Sequence, residues 1–89
     1  MFIIVNHYIS DPDVFWSRVK SKMDDIPADV HFHAVYPSQD MMRAVCVWDA
    51  ESAEPVREFL ESTFSDVCRN EYYNVNAEAA IGLPKEQMA

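Results

Sequence analysis

Phe2-Ile-Ile-Val-Asn-His-Tyr-Ile9, stopped by Ser10-Asp11-Pro12-Asp13, decides the fold of this 89-residue chain. β-Branched and aromatic residues dominate the run and no glycine interrupts it, the pattern of a buried strand. Asp11 is a natural helix cap, Pro12 takes the first helical position where no amide hydrogen is needed, and Asp13 suits the positive helix end. The spacing predicts a helix over about 12–25, with Phe15, Trp16, Val19, Met23 and Ile26 as its apolar stripe. Pro27 ends it, because the residue before a proline is pushed out of the helical region.

Outward from this start, Val30 to Tyr36 alternates and meets the turn-rich Pro37-Ser38-Gln39-Asp40 before a second apolar run, Met41 to Trp48. That is the pattern of an antiparallel hairpin. Ser52 and Pro55 open a second helix, whose stripe of Val56, Phe59, Leu60, Phe64 and Val67 is the strongest periodic signal in the chain. Asn70 to Asn76 reads as a fourth strand, and Ala77 to Ala89 as a tail with a short turn ended by Gly82, the only glycine. Strand, helix, strand, strand, helix, strand is the split β-α-β order of a ferredoxin-like α+β fold. It implies a four-stranded antiparallel sheet with both helices on one face. The whole chain is expected to form one domain, 1–89, with 76–89 as an extension toward a partner subunit.

The bulk numbers set limits on function. Fifteen acidic against seven basic residues give a net charge of −8, which disfavours nucleic acid and anionic membranes as partners. No apolar run approaches the ~20 residues of a membrane span, and the start lacks the features of a secretory signal. Cys46 and Cys68 have no CxxC partner and read as reduced thiols, so a cytoplasmic location is expected.

Two helices cover only one face of such a sheet, yet the strands are apolar at nearly every position, so the second face calls for cover by a second copy of the chain. The more branched Ile3, Val5, Val45 and Val47 suit the helix side. Phe2, Ile4, Asn6, Tyr8, Cys46 and Trp48 are then expected on the open face, around a cavity shared by a homodimer. In this reading Asn6, Tyr8, Cys46, Trp48 and one of the Tyr72–Tyr73 pair, taken as Tyr72, line a site for a small, partly apolar or aromatic molecule.

Other residue types admit chemistry as well as packing. His31 and His33 share a strand face, and His7 or Asp49 would complete a transition-metal site. The same alternation also suits a half-exposed strand. Cys46 between valines reads as a small core residue rather than a nucleophile. There is no glycine-rich phosphate loop and no GxSxG turn.

The strand order, the size, the bare sheet face and the passage Trp48-Asp-Ala-Glu-Ser52 into the second helix resemble the dimeric α/β-barrel superfamily over nearly the whole chain. Within it, Asn6 and Trp48 are similar to the strand-one asparagine and late strand-three tryptophan of the antibiotic-biosynthesis and haem-degrading monooxygenases. That resemblance implies a cofactor-independent monooxygenase in which Asn6 and Trp48 are catalytic, aided by Tyr72 and Arg69. The histidine that binds haem iron in the haem-degrading branch has no counterpart in Phe64-Ser-Asp-Val-Cys-Arg69. Asn6-His7 and Glu71-Tyr-Tyr-Asn-Val75 resemble a second branch of small ferredoxin-like proteins, some of which bind nickel. Of the two strand-one histidines of those proteins His7 is matched and Asn6 stands in place of the other; with the strand pair His31 and His33, His7 would make up a metal site in this chain.

Overall fold

The computed structural model describes residues 1–84. Its elements are β1 (Phe2–Ile9), α1 (Pro12–Lys22), β2 (Val30–Pro37), β3 (Arg43–Ala50), α2 (Ala53–Phe64) and β4 (Cys68–Asn74), in the order expected for a ferredoxin-like α+β fold. A single 3-10 turn, Met23–Asp25, prolongs α1 to the point where Pro27 stops it. The strands form one antiparallel sheet in the spatial order β2-β3-β1-β4. Both helices pack on one face, where Phe15 of α1 and Val56, Leu60 and Phe64 of α2 join Ile3, Val5 and Ile9 in one core.

Local chemistry explains the element ends. The Asp11 carboxylate accepts from the amide of Val14 and caps α1, whereas Ser52 precedes α2 without a side-chain bond. Arg18 reaches from α1 to the end of α2, donating to both Asp66 oxygens and to the carbonyl of Thr63. In the β2–β3 turn, Asp40 accepts from Ser38 Oγ and the Met42 amide, and Met41 takes φ +65°. The carbonyl of Met41 is held by the Trp16 indole N–H of α1 at 3.1 Å, so a tertiary bond fixes a conformation that an L side chain rarely adopts. Beyond β4, the carbonyl of Asn76 accepts from Ala79 and Ala80 in a short turn, and Gly82 lies at φ +85°. The end of the expected extension, 85–89, falls outside the described residues.

The register corrects one expectation. Directly opposed residues of an antiparallel pair share a face, and β1 pairs with β3 as Ile3–Trp48, Val5–Cys46 and His7–Ala44. Ile3, Val5 and His7 lie under the helices, as expected for Ile3 and Val5, so Cys46 and Trp48 lie there too. Val45 and Val47 are on the open face with Ile4, Asn6 and Tyr8. Branching was a poor guide because the indole is the larger filler: Trp48 packs edge-on against Phe32 and Phe59 between β2 and α2. The better signal was charge. Arg43 and Asp49 flank Val45 and Val47 at alternate positions, while Ala44, Cys46, Trp48 and Ala50 carry no charge.

A bulge between Phe32 and Ala34 keeps both His31 and His33 on the open side of β2, with Phe32 turned into the core. On β4, Cys68, Asn70 and Tyr72 share the helix face, and Tyr73 is exposed on the other.

Leu60 is 2% exposed at the centre of the α2 stripe. Leu60→Ala is expected to lower unfolding free energy in urea by about 2–5 kcal/mol, the range for removing a buried leucine that leaves a cavity.

Candidate functional site

The expected site residues divide between the two sheet faces. Asn6, Tyr8, His31 and His33 stand on the open face. His7, Cys46, Trp48 and Tyr72 stand beneath the helices. Asn6 and Trp48 therefore share no pocket wall, and a single substrate cannot touch both side chains across the sheet. The three histidines are likewise not brought together. His7 is under the helices, while His33 Nε2 lies 3.8 Å from Asp49 Oδ2 at the far end of the open face, its ring against Phe2. Among the described residues no three or more His, Cys, Asp or Glu side chains converge as metal ligands. The three histidines His7, His31 and His33 thus do not form the transition-metal site that their strand spacing suggested.

On the helix side the structure assembles a hydrogen-bonded chain. Cys46 Sγ lies 2.9 Å from His7 Nε2, and His7 Nδ1 lies 2.5 Å from Asn70 Oδ1. Cys68 also donates to Asn70 Oδ1, at 3.1 Å. The Asn70 amide donates to Glu61 Oε2 at 2.8 Å, and the same oxygen receives the Tyr72 hydroxyl at 2.5 Å. The guanidinium of Arg57 lies over the Tyr72 ring.

Donor and acceptor capacities fix the direction of this chain. Glu61 as a carboxylate only accepts, so Asn70 presents its amide N–H to Glu61 and its oxygen to His7. His7 must then carry its proton on Nδ1, which leaves Nε2 as the acceptor of the Cys46 S–H. Burial holds the imidazole below its ordinary pKa, against the pull of Asn70 and Glu61. Burial likewise pushes the Cys46 thiol up to about 12, with the neighbouring Trp48 indole pulling the other way. Bonds from Tyr72 and Asn70 hold the Glu61 carboxyl below its usual range. The resting pair is neutral thiol and neutral imidazole, ordered by one carboxylate at the edge of α2.

This chain ends at an apolar cavity of about 40 Å³ between sheet and helices. Phe15, Phe32, Phe59 and Phe64 wall it, His7, Cys46 and Trp48 form its floor, and Lys22 and Met23 stand at its rim. The indole N–H of Trp48, 3% exposed, faces the Cys46 sulfur and makes no well-directed hydrogen bond among the described residues.

The open face has a different character. Ile4, Val45, Val47 and Ala34 are half-buried, and Tyr36 and Tyr73 are exposed. Near the β2–β3 turn, Arg43 and Arg69 lie over the Tyr8 ring at 4.6 and 4.2 Å. Arg69 also pairs with Glu71. Asn6, Tyr36 and Arg43 border a shallow groove of about 270 Å³.

Sequence reading did not find Asn70, Glu61 or Arg43 as site residues. The signal for Asn70 and Glu61 was faint, since it needed the β1–β4 register that sets Asn70 opposite His7. Arg43 was detectable as a cation on the same strand parity as Val45 and Val47.

No family model matches this chain, and neither a curated protein nor a solved structure matches it. Among the described residues no helix is long and apolar enough to cross a membrane.

The buried thiol and imidazole make stability depend on pH at both ends. A histidine held below its ordinary value is neutral in the folded state, so its contribution is full above about 6.5 and falls as pH drops below that. A thiol pushed up to about 12 stays protonated when folded, so stability falls as pH rises above about 9. We expect urea melts under reductant to lose about 1.4 kcal/mol per pH unit from Cys46 alone between pH 9 and 11. Cys46→Ser removes that part of the slope, and an unchanged slope in the variant would contradict the assignment.

Proposed function

We propose that the chain is a homodimeric binding protein for a small, partly apolar or aromatic molecule, held in a cavity that two open sheet faces enclose. One observation carries this reading: a full sheet face lined by Ile4, Val45, Val47, Tyr36 and Tyr73 has no cover from its own helices, in a chain too small to waste apolar surface. Four strands at ~4.8 Å spacing and seven or eight residues at ~3.3 Å make a face of roughly 19 by 25 Å. In projection that is roughly 500 Å² per subunit, the small end for a two-fold interface in which the same patch serves both subunits.

Position on the face suggests the ligand's chemistry. Asn6 offers donor and acceptor at the middle of β1, and Arg43 supplies positive charge near one end of the face, where Arg69 is paired with Glu71, in a chain of net charge −8. An acidic or carbonyl-bearing aromatic compound matches this arrangement: its ring against Val45 and Tyr36, its anionic end at Arg43. Free thiols at Cys46 and Cys68 support a reducing, cytoplasmic setting. With Trp48 on the other side of the sheet, Asn6 acts in binding rather than in an oxygenase pair.

Sedimentation equilibrium at micromolar concentration tests the assembly. The wild type is expected to be a dimer and Val47→Lys a folded monomer, since two buried ammonium groups would face each other across the axis; a monomeric wild type would overturn the proposal. For the ligand, benzoate is the probe. Its NMR shifts should fall on Asn6, Tyr8 and Val45, and Arg43→Gln should weaken binding at least about tenfold by removing a charge-assisted bond.

A further inference from the structure

The groove beside Arg43 is bordered by the β2–β3 turn, and that turn is held from the other side of the sheet. Trp16 belongs to α1, away from the open face. Its half-buried indole nonetheless reaches the end of the sheet and donates to the Met41 carbonyl at 3.1 Å. Among the described residues Met41 is the one non-glycine with positive φ, +65°. Its own side chain is 39% exposed, so packing of that side chain does not account for the conformation.

A series of bonds runs from Met41 to the groove. The Met41 amide donates to the Ser38 carbonyl at 3.0 Å. Asp40 Oδ1 accepts from the Met42 amide at 2.9 Å and from the Ser38 hydroxyl at 2.7 Å. With its proton committed to Asp40, the Ser38 oxygen accepts from the Arg43 amide at 3.1 Å, and the Ser38 amide donates to the Arg43 carbonyl at 2.8 Å. Ser38 and Arg43 both line the groove, with Asn6 and Tyr36. Arg43 is the first residue of β3, so its placement over Tyr8 depends on the turn as well as on β1.

We propose that Trp16 is a positioning residue for the open-face ligand site, coupled to it through the left-handed turn at Met41. The inference rests on the reading of that face as a binding site. Without the indole N–H, Met41 returns to the backbone region that L residues prefer. The Asp40–Met42 bond is then lost, and Ser38 and Arg43 no longer keep their spacing. Such coupling is reciprocal: an anion bound at Arg43 strengthens the Trp16–Met41 bond by the factor by which that bond strengthens binding.

Benzoate is the probe, on the full chain, with wild type, Trp16→Phe, Met41→Gly and the double variant. Phenylalanine keeps a ring against Phe15 and removes the donor, while glycine takes positive φ at no steric cost. Trp16→Phe is expected to weaken benzoate at least about fivefold, the low end of coupling between two sites. Met41→Gly should bind as the wild type does. The double variant should regain most of the lost affinity, a rescue that a packing role for Trp16 would not give. In the wild type the Trp16 indole N–H resonance, identified by its contacts with Phe15, should move as benzoate saturates. Undiminished affinity in Trp16→Phe, or a double variant as weak as Trp16→Phe, would refute the coupling. So would an indole resonance that stays in place, which decides the matter should Trp16→Phe fail to fold. If the wild type does not bind benzoate, the binding reading falls and the coupling is read without ligand. The Ser38 and Arg43 amide resonances should then move in Trp16→Phe and return in the double variant; amides that do not move refute it.

Discussion

The pairing of β1 with β3 is the constraint on which the rest of this structure depends. Ile3 sits opposite Trp48 and Val5 opposite Cys46. Because side chains alternate along a strand, a slip of one residue would turn the indole and thiol outward and bring Arg43 and Asp49 beneath the helices. Burying those charges without partners would cost far more than the exposed apolar area would return. In the native register Arg43 stays exposed and Asp49, although buried, has the N-terminal ammonium and His33 beside it; a slip would remove both arrangements, and the cavity, the buried chain of hydrogen bonds and the open face all follow from the register.

Much of the architecture was legible because it rests on local rules. Asp11 before Pro12, the three- and four-residue recurrence in both helices, and the Pro37-Ser38-Gln39-Asp40 turn each act within a few residues. The element order then left a ferredoxin-like arrangement as the simple solution. The division of the site was not legible in the same way, because it depends on which residues meet across strands. Asn6 and Trp48 each close an apolar run as a ligand group would, yet their contact required a parity for β3 that the charges at 43 and 49 oppose. Asn70 illustrates the same limit. Nothing in Arg69-Asn70-Glu71 marks the amide as a partner of His7, 63 residues away, until β4 is laid against β1.

The buried chain from Cys46 to Tyr72 is more than a set of satisfied polar groups. It joins β3, β1, β4 and α2 through bonds of fixed polarity, so that each member can be replaced only if its neighbours reverse or lose a bond. Such networks add little net stability compared with apolar packing, since each group gave up water to join. They do penalise alternative registers, because a displaced member leaves unpaired donors in a low-dielectric interior. Cys68 and Cys46 both belong to this network, which accounts for two thiols in the core without a disulfide.

One strand serves both faces. Asn6 and His7 are adjacent in sequence yet point to opposite sides of the sheet, the first toward the surface proposed to meet a second subunit and the second toward the cavity under the helices. β1 is central, bonded to β3 on one side and β4 on the other, so its backbone is held at both edges. A side chain carried on such a strand keeps its position without help from a loop, which lowers the ordering cost of any ligand it meets. The two faces also differ in what they can accept. The open face keeps its cations in contact with water and suits a ligand with charge, whereas the helix side has traded water for phenyl rings and one neutral thiol–imidazole pair. Placing these environments back to back on one rigid strand gives an 89-residue chain two chemically unlike faces without a second domain.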